Sequence, residues 1–162
     1  MTVTERLVDG VVVLMVVGWM TVETRDSDLT RLVKGRLADA DGREPEVLLL
    51  ATGTEVALCV DASEALKADG VQARVVSMPS WELFEQQSRE YRDDVFQPSI
   101  TARVAVEQAS TMGWDRYVGV DGCIIGMETF GSSAPLKDLQ QKFGFTPGRI
   151  VEAAREQTRR ST

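Results

Sequence analysis

The stretch "VLLLATGTEVALCVDASEALKADGVQARVVS", Val47 to Ser77, decides the fold. Its first residues, Val47 to Ala51, are all apolar. A short run without alternation suits a strand covered on both faces, because a strand with one wet face would alternate. Gly53 can turn the chain, and Thr54 stands where a helix cap is wanted. Residues 55–69 are helical by composition, and Gly70 stops them as a C-terminal cap. Residues 71–77 read as a second strand. Strand, helix and strand in this order predict a parallel pair joined by a right-handed crossover.

The pattern continues toward the carboxyl terminus. "MPSWELFEQQSREYRDDVF" (78–96) is charge-dense, with Trp81, Phe84 and Tyr91 interleaved. Ser80 can cap a helix there, with Glu82 and Glu85 near its positive end. One reading is an amphipathic helix whose aromatics pack inward; the other is an aromatic contact surface. Pro98 breaks the pattern. "ARVAVE" (102–107) reads as a third strand, "QASTMGWDRYVGVDG" (108–122) as a Gly-rich connection, and "CIIGM" (123–127) as a fourth strand. "PLKDLQQKFG" (135–144) is a helix ended by Gly144. In the last helix Thr146 is the cap, Pro147 sits in the first turn, and Ile150, Val151 and Ala154 form the apolar stripe. The fold class predicted is α/β, with a parallel sheet.

Residues 1–34 differ in character from 35–162, and a boundary is expected between them. The run "VVVLMVVGWM", Val11 to Met20, is about half the length of a membrane-spanning helix. The preceding residues carry Glu5, Arg6 and Asp9, which is the wrong charge for a secretory leader. The β-branched content predicts a buried strand. A cytoplasmic chain with no membrane partner is expected.

Composition narrows the chemistry. The 162 residues hold 18 Lys and Arg against 25 Asp and Glu, a net charge of −7 that argues against nucleic-acid binding. Histidine is absent, which removes the usual proton shuttle and the commonest metal ligand. A Ser-His-Asp triad is therefore excluded, and the S-x-x-K spacing does not occur. Cys59 and Cys123 lie far apart in apolar patterns and read as buried thiols in a reducing compartment.

In an open parallel sheet, ligands gather beyond the carboxyl ends of the strands. The loops leaving the four predicted strands are "TGTE" (52–55), "MPSW" (78–81), "EQAS" (107–110) and "ETFGSSAP" (128–135). Thr52, Gly53 and Thr54 could cradle an anion at a helix start, or simply form a tight turn with a Thr cap. Gly131, Ser132 and Ser133 allow the same two readings ahead of Pro135. Phe130 is a large apolar side chain on a loop, either a plug for the core or a contact for another domain. Glu107 and Glu128 could pair for acid–base work or metal binding, though such residues more often face solvent.

Three of these segments, "SMPSWELFEQQSREYRDDVF", "ARVAVEQASTMGWDRYVG" and "IGMETFGSSAP", resemble the carboxy-terminal domain of transketolases of the bacterial and plant type. The likeness runs from about Leu37 to about Glu156. It implies a three-layer α/β/α domain with a mixed, mostly parallel five-stranded sheet, its antiparallel strand near "GRLADADG" (35–42). Complete transketolases move a two-carbon ketol unit between sugar phosphates, using thiamine diphosphate and a divalent cation such as Mg²⁺. Their G-D-G…N-N motif and active-site histidines have no counterpart here. The resemblance therefore implies no catalytic, cofactor-binding or metal residue in this chain. It implies a role in assembly, inactive alone, with the remaining transketolase domains as partners in cis or in trans, in a homodimer. "FGSSAP" is then capping plus interdomain contact. The alternative is a free-standing regulatory module binding a small anionic metabolite at the strand ends. Residues 1–34 do not resemble the pyrimidine-binding domain that precedes this one in the family. A domain of this kind should expose apolar surface to its neighbours.

Overall fold

A computed structural model describes residues 2–8, 11–17 and 45–161. The chain divides into two compact units, Met1–Glu44 and Pro45–Thr162. The boundary expected after residue 34 and the antiparallel strand expected at 35–42 lie outside the described residues, as do residues 18–20 of the apolar run.

In the first unit, β1 (Thr2–Val8) and β2 (Val11–Val17) pair antiparallel, in register from Thr2 opposite Val17 to Val8 opposite Val11. The strand expected from the valine-rich run is present.

The second unit is built on the four strands β3 (Val47–Ala51), β4 (Ala73–Ser77), β5 (Arg103–Ser110) and β6 (Cys123–Met127). All their pairings are parallel, in the order β4-β3-β5-β6. β3 is central, and every one of its residues is buried. That is why its sequence is apolar without alternation: both of its faces meet a core. Val47, Leu49 and Ala51 join one core cluster, Leu48 and Leu50 the other. Each fully buried leucine here contributes about 1.5–3 kcal/mol.

Helices cover both faces, giving three layers. On one side α1 (Glu55–Ala68) brings Cys59, Ala62 and Leu66 onto the sheet, and α6 (Pro147–Ser161) brings Ile150, Val151, Ala153 and Ala154. On the other, α2 (Trp81–Glu85), α3 (Arg89–Phe96) and α4 (Asp115–Val118) enclose Met78, Phe96, Trp114 and Tyr117. The last helix to be placed, α5 (Leu136–Phe143), ends at Gly144, whose φ of 79° is left-handed.

Local punctuation explains most helix limits. After α1, Gly70 takes φ +85°, and the Gly70 and Val71 amides bond back to Lys67 and Leu66. This is a Schellman ending, whose left-handed position is most often glycine. Ser80 caps α2 by accepting from the Leu83 amide, and Thr146 accepts from the Arg149 amide at the start of α6. Two expectations are corrected. The single amphipathic helix over 81–94 is two helices, because Ser88 caps a new one by accepting from the Tyr91 amide at 3.2 Å. The connection 108–122 contains α4 and supplies Trp114 and Tyr117 to the core.

Candidate functional site

Because the four strands are parallel, their carboxyl ends share one edge of the sheet. The chain reverses direction of winding between β3 and β5, whose ends flank the point where a ligand crevice would open.

Gly53 sits in the turn from β3 to α1 with φ +60°. Thr52 is half-buried; Gly53 and Thr54 are exposed. Thr54 occupies the cap position of α1 but makes no side-chain cap; its hydroxyl donates to Glu55 Oε2 at 3.1 Å. The first turn of α1 thus carries its own carboxylate at the positive helix end. Glu55 is buried, 6% exposed, and its Oε1 accepts the main-chain N–H of Gln108 at 3.0 Å.

Glu107 lies beside this group. Burial, followed by the charge of Glu55, raises its carboxyl above the ordinary range, against hydrogen bonds with the Trp114 side chain and the Ala109 backbone. The carboxylate that acts on Glu107 is therefore Glu55. Glu128, the partner expected from the sequence, is exposed. Cys59 lies one turn further along α1. Burial and then Glu55 push its thiol up to about 12, so it is a poor nucleophile. Cys123 is only half-buried, not fully as expected, and burial raises its thiol too.

The loop after β6 behaves differently. Residues 128–138 are exposed without interruption. Phe130 is 99% exposed, so it is no core plug. Gly131, Ser132 and Ser133 lie on this exposed loop, and Pro135 takes the cap position of α5 with no side-chain cap. The expected serine caps are absent; instead Ser132 Oγ accepts from Lys142 Nζ at 2.9 Å. The two loops singled out from sequence share an edge but are not neighbours, since β5 stands between β3 and β6.

Three further large apolar side chains stand in segments that follow strands in the chain. Leu83 follows β4, Met112 follows β5, and Leu136 follows β6; all are exposed, Met112 at 82%. The fifth large apolar residue exposed among the described residues, Val120, precedes β6 instead. Sequence reasoning missed Leu83, Met112 and Leu136 because each sits in a pattern that a buried residue would also fit. Among the described residues no group of three or more His, Cys, Asp or Glu could hold a metal ion, and no helix is long and apolar enough to cross a membrane.

The described residues form an α/β domain with a parallel four-stranded sheet covered by helices on both faces. Residues 36–146 match the transketolase-like TK C-terminal domain, and the chain belongs to that family. It is 47% identical over 115 residues to a transketolase of Geobacillus stearothermophilus, covering 71% of this chain and 17% of that protein. It is 46% identical over 136 residues to transketolase 1 of Escherichia coli, covering 83% of this chain and 20% of that one. A solved transketolase from Leishmania mexicana superposes with a TM-score of 0.67 at 39% identity, covering 72% of this chain and 17% of that chain. The chain thus spans about a fifth or less of the length of these relatives.

Proposed function

We propose that residues 35–162 serve as the packing domain of a transketolase whose other domains, in cis or in trans, carry the chemistry. The parent reaction is transfer of a two-carbon ketol unit between sugar phosphates, with thiamine diphosphate and a divalent cation supplied by those other domains. The parent assembly is a cytoplasmic homodimer, a reading that rests on family likeness alone. The described residues of this chain do not fit the coenzyme. The carboxylates at the strand edge, Glu55 and Glu107, are committed to Gln108, Thr54 and Trp114, and no metal-holding group accompanies them.

The observation that carries this reading is the placing of apolar surface. Leu83, Met112, Phe130 and Leu136 are all exposed, and each stands in a segment that follows a strand in the chain. Solvent gains nothing from such an arrangement, whereas a partner surface would bury it. A metabolite-binding module is less well supported, because the α1 terminus that would attract an anion already holds the Glu55 carboxylate.

The test is a coupled ketol-transfer assay with thiamine diphosphate and Mg²⁺. It is run on this chain alone, on a transketolase lacking its carboxy-terminal domain, and on the two mixed, with sedimentation in parallel. The mixture should form a complex and this chain alone should give no turnover. Turnover by the isolated chain, or no complex at any concentration reached, would overturn the proposal.

A further inference from the structure

The β5–β6 ladder is broken by a bulge. Pairing runs evenly from Val104 opposite Cys123 to Glu107 opposite Gly126, then jumps to Ser110 opposite Met127. Gln108 and Ala109 are left with no partner on β6. β3 offers none either, since its pairing with β5 ends at Ala51 opposite Val106. The Gln108 amide instead donates to the buried Glu55 carboxylate, 53 residues away in sequence. On the opposite side, Gly126 lets the bulge close over β6. A Cβ there would lie 2.5 Å from Thr111 Cγ2, closer than packed atoms come. The chain then passes through Met112, whose amide donates to Ser110 Oγ at 3.2 Å. Gly113 follows with φ +88°, packed so closely that a Cβ would meet Trp81 at 2.7 Å.

We propose that Glu55 is a positioning residue: its carboxylate staples the β5 bulge and thereby holds the Met112 segment in one conformation, ready for docking. A helix-borne acceptor fixed in the core is rigid, whereas a bulge with an unpaired amide would sample several conformations. Binding a preformed surface avoids the ordering cost that a mobile loop would incur. The docking consequence rests on the packing role proposed above; the staple itself does not.

The experiment is amide hydrogen exchange by NMR on the full chain, as wild type, Glu55→Ala and Glu55→Gln, with binding to a transketolase lacking this domain measured alongside. In wild type the Gln108 amide should be protected. E55A should speed its exchange at least about tenfold and broaden the Met112 methyl signal. E55Q keeps a carbonyl acceptor and should restore both. An E55A chain that folds with Gln108 and Met112 unchanged overturns the proposal. If E55A does not fold, E55Q decides: a folded chain with Gln108 protected upholds the staple, and loss of protection or of folding overturns it. Loss of protection in E55A with docking unchanged would uphold the staple and count against the packing role.

Discussion

The indole of Trp81 stands edge-on to that of Trp114, ring centroids 5.1 Å apart at 83°. Trp114 is almost wholly buried, and Tyr117 completes the group at 5.4 Å from Trp81. Gly113 abuts the edge of the Trp81 ring at Cζ3. Changing Gly113 to Ala would force a side chain into a left-handed φ of +88° and push it against Trp81 Cζ3. We expect a loss of about 2–3 kcal/mol, from backbone strain plus overpacking. Urea unfolding followed by tryptophan fluorescence measures it. A change within experimental error would show that the ring yields freely and that the contact fixes nothing.

Arg103 holds the same face from below. Its guanidinium donates to the carbonyls of Phe96 at 2.8 Å, Tyr117 at 2.9 Å and, through Nε, Ile100 at 2.9 Å. It also lies over the Phe96 ring, 5.4 Å from the centroid. One side chain thus ties the ends of α3 and α4 to the start of β5. Replacing Arg103 with Met keeps the stem and strands three carbonyls, so stability should fall by about 2–3 kcal/mol. Replacing it with Lys should recover only part, because an ammonium cannot reproduce the planar fork. Chemical denaturation of both variants is the check, and equal stability of Lys and wild type would refute the geometric argument.

What could be read from the sequence is what neighbours in sequence decide. Gly70, Ser80, Thr146 and Pro147 mark helix limits by their own backbone and side-chain chemistry, and each does so in the structure. The unbroken apolar run of β3 announces burial on both faces. Ser88 could have been read as a second cap, since it sits three residues ahead of an amide it satisfies. Glu55 could not. An acid at the start of a helix looks the same whether it meets solvent or the Gln108 amide, and only the β3-β5 adjacency settles which. Arg103 is similar: carbonyls from α3, α4 and the segment between α3 and β5 converge on it, and no local pattern records that. The serines of "FGSSAP" mislead for the converse reason. They have the chemistry of caps, but Pro135 takes the position.

Glu107 should make stability depend on pH. Burial and Glu55 raise its folded-state pKa, so the folded chain binds its proton more tightly than the unfolded chain does. Its contribution is therefore fully present below the ordinary carboxyl pKa and is lost as pH rises through the raised one. Glu107→Gln removes the titration and keeps an acceptor for Trp114. The variant should be more stable than wild type at about pH 7, with the difference vanishing toward about pH 4. Thermal unfolding across that range tests the sign. An advantage that grows on acidification would show that Glu107 is stabilised as the anion.

Phe130 separates folding from docking. It is 99% exposed, on a loop whose residues are all open to solvent. Its ring contributes nothing to the core, so Phe130→Ser should leave the unfolding free energy within about 0.5 kcal/mol of wild type. If the carboxyl edge is a docking surface, the same change removes one of its largest anchors. Affinity for a transketolase lacking this domain should then fall by about 1–2 kcal/mol, roughly five- to thirtyfold. Val120 provides the control, since it is equally exposed but precedes β6 at the other end of the strands. Val120→Ser should alter neither quantity. Calorimetric titration of the three proteins gives the comparison. Equal weakening by both substitutions would mean that exposed apolar area in general, rather than the carboxyl edge, governs association.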